Sequence, residues 1–169
     1  MDKISAGIDT LNAAIGKAVA WAALALSLWQ FGLIIAQSVF RASSIFAQES
    51  LIYMNALMFL GAGAYTLLSD EHVRVDLFYH RMSALAKAWV NLLGTVLLLW
   101  PLCVLILYAG TPYVAASWAL REGSIETSGI QAVYLLKTLI LMFGVMMTLQ
   151  GVSLFWRSLK TLRSNRADG

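Results

Sequence analysis

Four long stretches of this 169-residue sequence contain no Asp, Glu, Lys or Arg. They lie between Lys17 and Arg41, Glu49 and Asp70, Lys87 and Arg121, and Lys137 and Arg157, and are 23, 20, 33 and 19 residues long. A helix needs roughly 17–25 mainly apolar residues to cross a bilayer, so each run suffices for one crossing. Helices in a soluble core would show alternating apolar and polar faces instead. Composition agrees, at 60% hydrophobic and 12% charged, against about 45–50% and about 25% in soluble domains. The expected fold is an all-α membrane protein with four transmembrane helices. A single membrane domain covers 1–169, with spans at about 18–40, 50–69, 86–118 and 138–156.

The first run is longer than the roughly 7–15 apolar residues of a signal peptide. It ends in Gln37-Ser38-Val39-Phe40-Arg41 rather than in small residues, and reads as a retained span. Before it, Ile4, Ile8, Leu11 and Ile15 recur at helical spacing, with Asp9, Asn12 and Lys17 interrupting. That pattern predicts a short amphipathic helix at the membrane surface or against a partner. The alternative is a first span that starts early and protrudes. Gln30 and Gln37 sit seven residues apart inside the run. Amides in hydrocarbon need partners, so that face is expected to touch a neighbouring span or another subunit. Asn55 is the strongly polar residue of span two, and Gly61-Ala62-Gly63-Ala64 offers a smooth contact patch near its end.

Between spans two and three lies the cluster Ser69-Asp70-Glu71-His72-Val73-Arg74-Val75-Asp76. Val75, Phe78, Met82, Leu85 and Trp89 then recur at spacings of three and four, which predicts a second short interfacial helix and a turn. Ser83 is placed to cap a new helix. In span three, Trp100 lies deep, Pro101 predicts a kink, and Pro112 offers a second bend. Gly144 and Gly151 share a face of span four.

Lys and Arg number nine at the N-terminus, middle loop and tail, against three (Arg41, Arg121, Lys137) on the other side. The positive-inside rule places both termini in the cytoplasm. The net charge of +3 forms no basic stripe, so nucleic acid is not expected as a partner. The runs hold no ionisable residue of the kind that marks a proton path. His72 and His80 lack ligand spacing, and Cys103 stands alone. No catalytic constellation, cofactor site or metal site is expected, and the chain does not read as an enzyme.

The central stretch narrows the reading. Small residues and Leu-Leu-Ser close span two, followed by His72-Val73-Arg74-Val75-Asp76, and Ala88-Trp89-Val90 opens span three. Ser117-Trp118, Glu122-Gly123-Ser124, Gly129-Ile130-Gln131, Leu136-Lys137 and Leu149-Gln150-Gly151 continue the series. In this order, over roughly 20–160, the chain resembles the small membrane subunit of TRAP transporters (tripartite ATP-independent periplasmic transporters, DctQ type). Ala84 stands where proline often follows the serine.

The resemblance implies a subunit of a sodium-coupled transporter for small organic carboxylates in the bacterial inner membrane. Its partners would be a large elevator-type membrane subunit, a periplasmic solute-binding protein and the lipid bilayer, with no substrate bound by this chain alone. The small subunit would pack on the static scaffold of the large one and help dock the binding protein. The outward loops 41–49 and 119–137 supply the docking candidates Arg41, Glu49, Arg121, Glu122 and Glu126. Candidates for subunit contact are Gln30, Gln37, Asn55, Gly61, Gly63, Trp100, Gly144 and Gly151. The rival readings are a self-contained homo-oligomeric carrier or channel, and a membrane anchor or assembly protein.

Overall fold

The computed structural model describes residues 2–69, 79 and 82–167, with side chains described from residue 5 to residue 164 of that set. The helices are α1 (Asp2–Phe40), α2 (Ile45–Leu68), α3 (Ala84–Gly94), α4 (Trp100–Leu120) and α5 (Val133–Ala167), with a π-helical turn (Thr95–Leu99) joining α3 to α4. Four continuous stretches are long and apolar enough to cross a membrane: Ser5–Phe40, Ile45–Leu68, Ala84–Leu120 and Val133–Ser164. α5 is the central post, in contact with α1, α2, α3, the π turn and α4. The expected interfacial helix between spans two and three, with His72, Arg74, Asp76 and His80, lies outside the described residues.

The packing is that of a chain dissolved in lipid. Its apolar core is small: Ala64, Leu67, Cys103, Met146 and Met147. The polar residues Asn12, Thr95, Ser117, Gln150 and Ser153 are equally buried, while Trp21, Phe31, Phe59, Leu98 and Leu120 lie exposed. Lipid tails are as apolar as leucine, so burying leucine gains little there. Close packing and hydrogen bonds hold the helices together.

α1 is one unbroken helix of 39 residues, about 58 Å at ~1.5 Å per residue against a hydrocarbon core of about 30 Å. Its first turns continue into the span instead of forming a separate interfacial helix, and the face they bury carries polar and small residues beside Ile15. Asn12 and Gly16 are buried while Leu11 is 53% exposed. Gly16 admits the Tyr65 ring of α2, which would collide with any Cβ there.

Ser44 caps α2, its Oγ accepting from the Ala47 N–H at 3.3 Å. The first loop is therefore 41–44, shorter than the expected 41–49, and Glu49 belongs to the helix. Ser83 caps α3 as its position predicts, accepting from the Ala86 N–H at 3.2 Å. Arg41 and Arg121 follow α1 and α4 with positive φ of 52° and 45°. Each is followed by the reverse hydrogen bond of a helix-ending turn, from Ala42 N–H to Ala36 O at 3.1 Å and from Glu122 N–H to Ser117 O at 3.0 Å. Glycine is the usual occupant of that position because a Cβ strains it.

The π turn resolves a phase conflict. Ala88 and Thr95 are buried seven residues apart, as are Cys103, Gly110 and Ser117, which keeps each set on one face of an α-helix. From Thr95 to Cys103 the step is eight. One wide turn absorbs the extra residue and returns both sets to the same side, with the Trp100 N–H reaching back to Thr95 O. Pro101 follows directly and has no N–H to offer, so the irregularity of span three falls here while Pro112 remains inside α4.

Candidate functional site

The start of α1, the end of α2, the start of α3 and the last turns of α5 lie at one end of the bundle, and loops 41–44 and 121–132 lie at the other. At the terminal end a polar cluster fastens α1 to α5. Asn12 Nδ2 donates to Gln150 Oε1 at 2.6 Å, and both side chains are 2% exposed. Gln150 Nε2 and Ser153 Oγ donate to Asp9 Oδ1 at 3.2 and 2.8 Å, and Arg157 pairs with Asp9 Oδ2. Ser5 Oγ meets Ser153 Oγ at 2.7 Å. Each buried group has its partner here, which is the condition for a buried polar network to hold helices together.

At the loop end, two carboxylates organise the chain. Glu122 accepts from Ser117 Oγ at 2.6 Å and pairs with Lys137, whose Nζ sits 4.2 Å over the Tyr113 ring. Donation from Lys137, then from Ser117, holds the Glu122 carboxyl below its ordinary value, against the opposing effect of desolvation. Trp118 Nε1 donates to Thr138 Oγ1 at 2.9 Å, and its ring packs edge-on to Tyr134 at 4.7 Å. Glu49 reaches from α2 to accept from Ser124 Oγ and from the Ile130 N–H at 2.6 Å. Of the five docking candidates, Glu49 and Glu122 are thus engaged within the chain, while Arg41, Arg121 and Glu126 are exposed.

The subunit-contact candidates divide in the same way. Gly61 faces Val19, Gly63 faces Phe143 and Met147, Gly144 faces Leu107, and Gly151 faces Leu99 and Trp100. These glycines, and Trp100 with them, serve contacts between helices of this chain. Trp100 also stacks at 5.3 Å on Phe155.

Gln30, Gln37 and Asn55 behave differently. Asn12, Val19, Ala23, Gln30 and Gln37 lie within about 20° of one line along α1 at about 100° per residue. Asn12 is buried on that line and Val19 is half-buried against Gly61, yet Gln30 and Gln37 are exposed and make no hydrogen bond among the described residues. Nearby, Trp29 Nε1 ties α1 to α2 through Ser50 Oγ at 2.8 Å. Asn55, nine residues before buried Ala64 and so on the opposite face of α2, is likewise exposed without a partner.

Sequence reasoning missed the Asp9 cluster and the Glu49 clip. Among the described residues, no three His, Cys, Asp or Glu side chains gather where they could hold a metal ion. Among the described residues, the chain thus offers exposed amides on α1 and α2 and a tied loop at 121–132.

Residues 28–161 match the family model described as tripartite ATP-independent periplasmic transporters, DctQ component. No curated protein and no solved structure matches the chain.

Proposed function

The chain belongs to the DctQ component family of tripartite ATP-independent periplasmic transporters, and we propose that it serves there as a scaffold and docking subunit. As a member it is the small subunit of such a transporter in the inner membrane, and it is not an enzyme. Its partners are the large membrane subunit and a binding protein. In this reading the exposed amides Gln30, Gln37 and Asn55 pack on the static scaffold of the large subunit, which holds the substrate path. The terminal end faces the cytoplasm, following the distribution of Lys and Arg. The loop end faces the periplasm and receives the solute-binding protein. Sodium is the coupling ion, and small organic carboxylates are the substrate class.

One observation carries the reading. Gln30 lies inside an apolar run, exposed and without a partner among the described residues, on the same line as buried Asn12. A primary amide facing lipid tails is costly, whereas one facing another protein's helix finds donors and acceptors.

The test is reconstitution. The three components are placed in liposomes, and sodium-driven uptake of labelled carboxylates is measured with and without this chain. Uptake that requires all three parts supports the reading, as does loss of co-purification with the large subunit in Gln30→Leu/Gln37→Leu. Uptake indifferent to this chain, or solute movement by this chain alone, overturns it.

A further inference from the structure

Loop 121–132 is closed by a clip. The Glu49 carboxylate accepts from Ser124 on one side and from the Ile130 N–H on the other, so one side chain of α2 pins both ends of the segment 124–130. Within it, the Glu126 N–H donates to Ser124 Oγ at 3.1 Å, and the Glu126 carbonyl accepts from the Gly129 N–H at 3.0 Å and from Gln131 Nε2 at 3.2 Å. Gly129 is required by this closure, since a Cβ would stand 2.6 Å from both Glu49 oxygens. Ser124 and the backbone groups of Glu126, Gly129 and Ile130 are therefore held within the loop. At the tip Ile125 points the other way, fully exposed at 103%.

An isoleucine so placed packs against nothing in its own chain, and its tied neighbours prevent the backbone from folding it back. Its branched side chain has few rotamers to lose and its backbone is already ordered, so a partner that buries it loses little to ordering. The bilayer is a poor partner. Glu126, Thr127 and Ser128 share the exposed tip and would enter the lipid with it.

We propose that Ile125 is the apolar anchor of the docking loop, received in an apolar pocket of the periplasmic solute-binding protein, and that Glu49 is the positioning residue that presents it. The inference rests on the reading that this end of the chain docks that protein.

The test uses the assembled membrane complex in nanodiscs, titrated with the solute-binding protein. Ile125→Ser is expected to weaken binding about tenfold or more, as for the central anchor of an interface. Ile125→Leu keeps affinity near that of the unaltered complex, and in both variants co-purification with the large subunit is unchanged. Glu49→Ala also weakens binding, and Ile125→Ser/Glu49→Ala falls little further than Ile125→Ser alone. That non-additivity separates positioning from a general loss of structure. Undiminished binding in Ile125→Ser overturns the proposal, as does a loss of co-purification, which would place Ile125 against the large subunit instead. A bulky maleimide adduct on Thr127→Cys separates the two levels. If the adduct blocks binding and Ile125→Ser does not, the loop docks without this anchor. If neither affects binding, the docking reading fails together with the anchor.

Discussion

Asn12 and Gln30 stand on one line of a single helix, eighteen residues or five turns apart, and their surroundings differ completely. Asn12 is sealed against Gln150 in a network that also takes in Asp9, Ser153 and Arg157. Gln30 faces outward with no partner among the described residues. Both are primary amides, so chemistry alone does not distinguish them. The difference lies in where α5 covers α1. The chain completes the polar line of its first helix at the terminal end and leaves it incomplete toward the loop end. In the scaffold role proposed above, stability would come from the closed half and recognition from the open half.

The largest effect should come from breaking the closed half. Gln150→Leu strands Asn12 and removes a donor from Asp9. Leaving buried polar groups unpaired costs about 1–3 kcal/mol, so thermal unfolding of the purified chain in detergent should occur at clearly lower temperature. Asn12→Leu/Gln150→Leu removes both partners and should recover part of that loss. If it instead falls as far as the sum of the single changes, the amides act independently and the network is not a unit.

Glu49→Ala comes next, because it frees Ser124 and the Ile130 N–H without touching the helix seam. A cost of about 1 kcal/mol is expected for such lost hydrogen bonds, with amide exchange accelerated at 124–130 and unchanged around Asn12.

Gln30→Leu/Gln37→Leu sharpens the comparison from the other side. The isolated chain should unfold within about 0.5 kcal/mol of the parent, as surface changes do. Association with the large subunit should weaken severalfold, since interhelical bonds in membranes average about 0.6 kcal/mol each. Destabilisation of the isolated chain comparable to that of Gln150→Leu would show that the open half is not open.

Arg121→Gly should stabilise the chain slightly, by about 1 kcal/mol or less, by relieving a left-handed residue. The same change removes an exposed charge at the proposed docking end, so binding of the solute-binding protein should weaken even as the melting temperature rises. The smallest effect concerns acidity. The folded Glu122 carboxyl is held below its ordinary value. Its stabilising contribution is therefore present above the unfolded carboxylate range and is lost as pH falls through the lower folded value. Proteolysis at the 121–132 loop should rise only as pH falls below the ordinary carboxylate range.

The four spans were legible because a charge-free run of span length has few other uses. The cap at Ser83 was legible because its chemistry is local. The contacts of α1 were not. Ile4, Ile8, Leu11 and Ile15 read as the apolar face of a short surface helix, yet Leu11 is turned outward while Asn12 and Gly16 are buried and Ile15 packs against the apolar core. The partners of Asp9 lie more than 140 residues away, and no local pattern announces them. Glu49 looks like a loop charge in the sequence because Ser44 caps α2, which starts about five residues earlier than expected. The glycines showed where close approach occurs, but not that the approaching helices were the chain's own.

The wide turn at Thr95–Leu99 has a meaning for chain length. Counted along the buried face, span three holds one residue too many, and the surplus lies between Thr95 and Cys103. A codon could be lost there without turning the interior side chains toward the lipid, whereas a loss elsewhere in the span would rotate everything beyond it by about 100°. Deleting the outward-facing Leu98, 73% exposed, together with Pro101→Ala, should let the segment wind as a plain α-helix and keep Ala88, Thr95, Cys103, Gly110 and Ser117 in place. Deleting Leu105 should unfold or misassemble the chain. At this one position in its third crossing, the protein can be shortened without being rebuilt.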